Sequence, residues 1–198
     1  VLRVPLSHLD FLSDVTTISG SLVLDGNPNL TTMAGLQSLN FLGQSLLLQN
    51  NAMLDSLQDL NSLTSIPGDL VIQANPTLNN IDALDQLTNV QGYVIISDTA
   101  LLNLVGIQNL ETVGQSFTLS NNPALTDTSD LHSAFMVNGS IFIEDNNALT
   151  ALQGITQPII FGEFIVKNNA TLTTLELATL TEVQQGLKIQ NNDSLIDL

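Results

Sequence analysis

The stretch Gly20-Ser-Leu-Val-Leu-Asp-Gly-Asn-Pro-Asn-Leu30 joins a short strand pattern, in which apolar residues alternate, to an Asn and a Leu. The same pattern returns after every 23 or 24 residues along the chain. Its seven further copies are Ser45–Leu54, Asp69–Leu78, Tyr93–Leu102, Ser116–Leu125, Ser140–Leu149, Glu163–Leu172 and Gly186–Leu195. Copies at a single period between about 20 and 29 residues indicate a solenoid, in which each repeat forms one coil and stacks on its neighbours.

Alternation along each strand segment sends two side chains of the repeat inward and the side chain between them outward. After the strand, apolar residues recur at every third position, as in Leu30, Met33, Leu36, Leu39 and Leu42. This spacing favours a coil with several inward-facing sides over a continuous helix. Two interior columns of strand residues are predicted: Leu22, Leu46, Leu70, Val94, Phe117, Ile141, Phe164 and Leu187; and Leu24, Leu48, Ile72, Ile96, Leu119, Ile143, Val166 and Ile189.

Asn occupies the position of the repeat where the chain turns out of the strand. A turn leaves backbone N–H and C=O groups without partners, and an inward Asn amide satisfies both kinds and also bonds to the Asn one coil away. The predicted structural ladder consists of Asn27, Asn51, Asn75, Asn122, Asn146, Asn169 and Asn192. Thr99 stands at this position in one repeat, and we expect a local weak point there.

The repeats run through residues 1–198 without a linker, a charge block or a shift in composition. This continuity, with a length in the ordinary range of one domain, predicts a single repeat solenoid of about eight coils. Both ends of the sequence fall inside a repeat, so we expect the chain to be a piece of a longer protein.

The chain is strongly acidic. It carries 19 Asp and Glu residues against three Lys and Arg residues, which gives a net charge of −16 at pH 7. This charge repels phosphate backbones, so nucleic acid is excluded as a partner. No run of about 18 apolar residues occurs, so we expect no direct insertion of this segment into a membrane.

The pattern Gly-x-Leu-x-Leu-x-x-Asn-Pro-x-Leu, followed by apolar residues at every third position, resembles the receptor L domain, a leucine-rich-repeat relative in receptor ectodomains. Gly20–Leu36 and Gly68–Val90 match the pattern best, and the resemblance covers almost the whole chain. It implies a right-handed parallel β solenoid, extracellular or cell-surface placement, and ligand or partner binding without catalysis. The Cys-bearing caps of the receptors are absent from this sequence, and no ligand residue of the family maps onto a position here.

The middle residue of each strand faces outward, where a solvated face is expected to be polar. Six of the eight residues at this position are apolar instead. The first seven are named the outward stripe: Val23, Leu47, Val71, Ile95, Thr118, Phe142 and Ile165. Coils about 4.8 Å apart give the eight positions a length of about 34 Å, and a contiguous patch of this kind is typical of an interaction surface. The alternative is that β-branched residues merely favour strands.

Other site chemistries lack the residues that they require. The only histidines are His8 and His132, and the segment 130–133 is too compact for a base-and-nucleophile relay, which needs converging side chains. No dense acidic loop recurs at the repeat period, so no calcium or other metal site is predicted. The sequence predicts no cofactor, and the outward columns lack the Thr ladder of an ice-binding face.

Four Asn residues begin an Asn-x-Ser/Thr sequon, the acceptor of N-glycosylation in secreted proteins. Asn169 and Asn192 also belong to the predicted inward ladder. We therefore expect that only Asn29 and Asn138 can carry glycan.

Taken together, the residues and the resemblance predict a non-enzymatic extracellular recognition or adhesion module. Its protein partner is expected to bind the strand face along the outward stripe. The alternative is a structural surface or filament protein that self-associates through the solenoid ends or through the stripe.

Overall fold

A computed structural model describes residues 5–131 and 135–196 of the chain. These residues form short strands and two single-turn 3-10 helices, Asp10–Leu12 and Asp82–Leu84. In chain order the strands are β1 (Thr17–Ile18), β2 (Leu22–Asp25), β3 (Phe41–Leu42), β4 (Leu46–Gln49), β5 (Ser65–Ile66), β6 (Leu70–Asn75), β7 (Asn89–Val90), β8 (Val94–Thr99), β9 (Thr112–Val113), β10 (Phe117–Ser120), β11 (Met136–Val137), β12 (Ile141–Glu144), β13 (Ala151–Leu152), β14 (Ile159–Ile160), β15 (Glu163–Lys167), β16 (Thr174–Leu175), β17 (Glu182–Val183) and β18 (Gly186–Gln190).

The longer strands stack into one parallel sheet of eight strands, in the order β2-β4-β6-β8-β10-β12-β15-β18. The register is maintained from end to end, since Leu22 pairs with Leu46 on the first two strands and Phe164 pairs with Leu187 on the last two. Parallel neighbours need a crossover connection, and the rest of each coil supplies it. The parallel β solenoid predicted from the sequence is confirmed.

A second side of the coils is built from two-residue strands. β5, β7, β9 and β11 form a four-stranded parallel sheet, while β1 pairs with β3, β13 with β16 and β14 with β17. Backbones of adjacent coils approach closely next to this side. A Cβ added to Gly114 would lie 2.1 Å from the carbonyl oxygen of Gln91. Glycine is therefore required there for the coils to stack at the strand spacing.

The core is a continuous column of side chains inside the coils. Leu30, Met33, Leu36, Leu39 and Leu42 are each 0–1% exposed. The third-position spacing therefore marks inward sides of a coil, as expected. The first seven members of both predicted strand columns are buried as well. Burial of a large apolar side chain contributes roughly 1.5–3 kcal/mol, and a coil obtains this only by stacking on its neighbours.

The last member of each strand column is more exposed than the others. Leu187 is 58% exposed, and Ile189 is only partly buried. Both lie on β18, which is paired with β15 on one side. An inward side chain is buried by coils on both sides of it, and the described residues supply β18 with one such neighbour. The interior position of Leu187 therefore stays a prediction.

The repeat that contains Thr99 has a shorter corner than the periodic pattern assumes. Leu101 is 1% exposed and fills the corner leucine position, whereas Leu102, the last residue of the expected copy, is 58% exposed. In the other coils two residues separate the ladder position from this leucine, but Ala100 alone separates Thr99 from Leu101. The expected boundary of this copy was therefore wrong by one residue.

Candidate functional site: the outward strand face

The outward face of the eight-stranded sheet holds the predicted partner-binding residues. The strand register places the outward stripe in one straight row. Val23 pairs with Leu47, Leu47 pairs with Val71, and the row continues strand by strand to Ile165. Lys188 on β18 occupies the eighth position. All seven stripe residues therefore lie side by side on adjacent strands.

The stripe is less exposed than alternation alone suggests. Val23 on the first strand is 49% exposed, but Val71 is only 9% exposed, although it lies outside the core cluster. The other five stripe residues are partly exposed. Because adjacent coils lie about 4.8 Å apart, side chains on the face cover one another's flanks. The stripe is thus a shallow apolar band, and the expectation that Val71 is solvent-exposed was wrong.

A polar row on the amino-terminal side of the stripe ties neighbouring coils together. The Ser21 hydroxyl accepts the backbone N–H of Ser45 at 3.2 Å, and the Ser45 hydroxyl accepts that of Asp69 at 2.9 Å. The Asp69 carboxylate in turn accepts the N–H of Tyr93 at 2.9 Å. These side chains hold the strand starts in place, a role that sequence analysis missed because the row only looked like a solvated flank.

The ladder asparagines form hydrogen bonds from coil to coil along the corner, in one run from Asn27 to Asn75 and another from Asn122 to Asn192. The six that precede Asn192 are 0–5% exposed, and Asn192 is partly exposed. Asn146 shows the pattern, since its Oδ1 accepts the backbone N–H of Asn122 at 3.0 Å and its Nδ2 donates to the Leu119 carbonyl at 2.9 Å. The amides replace backbone partners where the strand ends, so their bonding capacity is used by the fold.

Thr99 keeps part of the ladder. Its hydroxyl donates to Asn122 Oδ1 at 2.6 Å, and its backbone N–H donates to the same oxygen at 3.3 Å. A hydroxyl has one proton to donate where an amide has two, so the bond to the carbonyl of the preceding coil has no counterpart. The strands lengthen at this point, and Asn75 pairs with Thr99 across β6 and β8. The weak point at Thr99 stays a prediction.

A column of left-handed residues comes just before the ladder, and sequence analysis did not identify it. Gly26 and the residue before each later ladder position have φ values of 53–70°. Most are Asn or Asp, which tolerate positive φ better than other residues with a Cβ. Ala74 is the exception, with a φ of 55°. The recurrence of Gly, Asn or Asp at this repeat position was the signal that could have revealed the column.

The sequons fall into two structural settings. Asn29 and Asn138 are exposed, whereas Asn169 is fully buried in the ladder. The amide nitrogen of Asn192 donates to the Val166 carbonyl at 2.9 Å. The geometry therefore leaves Asn29 and Asn138 accessible for modification.

Charged side chains on the strand face are mostly acidic. The described residues contain two cations from Lys or Arg, Lys167 and Lys188, and Lys167 lies 3.2 Å from Glu144. Among residues 5–131 and 135–196, no group of three His, Cys, Asp or Glu side chains could hold a metal ion. His8 lies 3.6 Å from Asp10 on the surface, and His132 lies outside the described residues.

The repeat solenoid matches a known protein family. The receptor L domain family matches residues 49–161, which is more than half of the chain. The chain belongs to the receptor L domain family. The match contains four residues of the outward stripe, from Val71 to Phe142. The resemblance inferred from the repeat pattern is confirmed, and receptor L domains are non-enzymatic ligand-binding modules that are typically part of receptor ectodomains.

Searches of curated proteins and of solved structures gave no significant match to this L domain. Within the described ranges, no helix has the length and apolar character needed to cross a membrane. Family membership therefore indicates a ligand-binding module.

Proposed function

We propose that this L domain is an extracellular recognition module that binds a protein partner on the outward stripe. The observation that carries the proposal is the unbroken register of the stripe across the strands of one sheet. Contiguity distinguishes an apolar interaction patch from apolar residues that are scattered singly over a surface.

The strand face is also held rigidly. The Asn ladder fixes the end of each strand, and hydrogen bonds such as that from the Asp69 N–H to the Ser45 hydroxyl fix several strand starts. A surface that is ordered before binding loses less conformational entropy when a partner docks. A shallow, pre-ordered apolar band with a polar margin has the anatomy of a protein–protein interface.

The test begins with recovery of the partner from native cell surfaces by proximity labelling, followed by measurement of its affinity for two matched variants. Val23→Ser, Leu47→Ser and Ile95→Ser together remove three stripe side chains. The matched control, which is Phe41→Ser, Met53→Ser and Met136→Ser, removes three exposed apolar side chains that lie off the face.

We expect the stripe variant to weaken binding by about tenfold or more, since each buried anchor at an interface contributes about 1 kcal/mol or more. The control variant is expected to change affinity less than about twofold. Equal losses in both variants, or an unchanged affinity in the stripe variant, would contradict the proposal.

Self-association is a second candidate, and one observation favours it. The outward stripe is a contiguous apolar row on one face of the sheet. Each copy of the protein presents the same row, so two copies can pair through it.

Sedimentation velocity over a range of protein concentrations separates the two candidates. Self-association through the stripe predicts concentration-dependent assembly that the stripe variant reduces and that the control variant leaves intact. A protein that stays monomeric at every concentration excludes this second candidate and leaves the partner-binding proposal standing.

A further inference from the structure

Three carboxylates border the outward stripe on the first four strands of the sheet. Asp25 ends β2, and Asp98 lies near the end of β8, so both are on the carboxyl side of the stripe. Asp69 immediately precedes β6 and lies on the amino side. The apolar row in this half is therefore bordered by negative charge on both sides.

These carboxylates are held by neutral donors. Asp25 accepts the side-chain amide of Asn50 at 2.8 Å, and Asp98 accepts that of Asn121. Asp69 accepts the backbone N–H of Tyr93 at 2.9 Å. Within the described residues, none of the three forms an ion pair. Their positions are thus fixed while their charges remain uncompensated.

The last strands of the face carry charges of both signs, since Glu163 starts β15 and Lys167 lies 3.2 Å from Glu144. Lys167 and Lys188 lie on the last two strands, and Lys188 occupies the eighth position of the stripe row itself. The most exposed stripe residue, Val23, and the exposed Tyr93 both belong to the acidic half. The amino-terminal half of the face therefore combines negative charge with exposed apolar side chains.

We infer that the first four strands bind a protein segment in which apolar side chains are flanked on both sides by Lys or Arg. This inference rests on the proposed function and specifies the chemistry of its partner. The apolar side chains cover the row from Val23 to Ile95, which spans three coil spacings or about 14 Å. Cations on either side of the segment meet Asp25 and Asp98, or Asp69, and these four strands carry no Lys or Arg that would repel them.

The experiment uses two fluorescent synthetic peptides, one with a short run of Leu residues flanked on both sides by Lys (the Leu/Lys peptide) and one with the same run flanked by Glu (the Leu/Glu peptide). Their affinities for the protein are measured by fluorescence anisotropy at physiological salt. The face variant carries Asp25→Asn, Asp69→Asn and Asp98→Asn, which keep the acceptor oxygens but remove three charges. The matched control, Asp55→Asn, Asp82→Asn and Asp85→Asn, removes three charges away from the face.

We expect the Leu/Lys peptide to bind at least about tenfold more tightly than the Leu/Glu peptide, because its charges complement the face. The face variant should lose about tenfold in affinity for the Leu/Lys peptide, and the control variant less than about threefold. Equal losses in the two variants would assign binding to the overall charge of −16 and overturn the inference.

The stripe variant distinguishes this inference from the proposed function. If Val23→Ser, Leu47→Ser and Ile95→Ser abolish binding of both peptides while the face variant changes neither, the partner chemistry is wrong and the binding face stands. If the stripe variant changes the binding of neither peptide, the face itself is not the site and both proposals fail.

Discussion

Replacing Asn146 with Ala should destabilise the solenoid far more than the loss of one surface amide would. The Asn146 side chain is fully buried. Its Oδ1 accepts two hydrogen bonds from Asn122, one from the backbone N–H at 3.0 Å and one from the side-chain Nδ2 at 3.2 Å. Its own Nδ2 donates to the Leu119 carbonyl at 2.9 Å. Truncation leaves these three buried groups short of a partner. A buried polar group left unpaired costs about 1–3 kcal/mol. Because Asn122 Nδ2 keeps its bond to the Ile96 carbonyl, we expect the free energy of unfolding to fall by about 3 kcal/mol in total.

The assay is urea denaturation followed by circular dichroism, with hydrogen exchange to locate the effect. Asn147→Ala is the matched control, because Asn147 is exposed and should change stability by less than about 0.5 kcal/mol. Asn146→Thr should fall between the two, since the hydroxyl of Thr99 already shows that Thr keeps part of the ladder. Exchange should speed up first in the coils on both sides of Asn146. Equal midpoints for the Asn146→Ala and Asn147→Ala variants would refute the structural role of the ladder.

Three further predictions concern the corners and the surface. Ala74→Asn should raise thermal stability by about 0.5–1 kcal/mol, because φ at this position is 55° and Asn tolerates positive φ at lower cost; a lower melting temperature would contradict this. Gly114→Ala should lower the free energy of unfolding in urea by about 1–3 kcal/mol, because the new Cβ would lie 2.1 Å from the Gln91 oxygen. Gly20→Ala should be nearly neutral, because a Cβ there would have no atom within 4 Å. In protein secreted from a glycosylating host, Asn29 and Asn138 should carry glycan. Mass spectrometry of enzymatically deglycosylated peptides tests this, and finding both residues unmodified would contradict it.

The strand positions and the inward columns could be predicted because both depend on local periods. Alternation along a strand and recurrence along the chain together determine which side chains stack, and Leu22, Leu46 and Leu70 are buried as a result. The third-position spacing after each strand likewise identified the inward sides of the coil. Such periodic features require no knowledge of which coils are neighbours in space.

Features that depend on neighbouring coils were not predictable in the same way. Val71 has the same place in its repeat as Val23, yet it is covered by adjacent side chains and Val23 is not. Leu187 has the sequence signature of a core residue, but its burial depends on coils on both sides. The short corner at Thr99 shifts the buried leucine to Leu101, a change that a fixed repeat template does not register.

The candidate binding face also combines features that the sequence predicts with features that it does not. The sequence places the apolar residues of the stripe on one face, because alternation assigns them a common direction. The hydrogen bonds of the flanking rows could not be predicted from the sequence. Those from the Asn50 amide to Asp25 and from the Tyr93 N–H to Asp69 cross from one coil to the next. Those bonds turn scattered Asp residues into a fixed pattern of charge.

Site-specific photocross-linking shows whether the strand face is the partner-binding surface. A photoreactive amino acid replaces either Val23, which is 49% exposed on the face, or Met53, which is 53% exposed off the face. Each protein is applied to the cells that carry the native partner and is irradiated. We expect a discrete cross-linked protein from the Val23 position and none from the Met53 position. A cross-link from Met53 alone, or the same cross-linked protein from both positions, would contradict it.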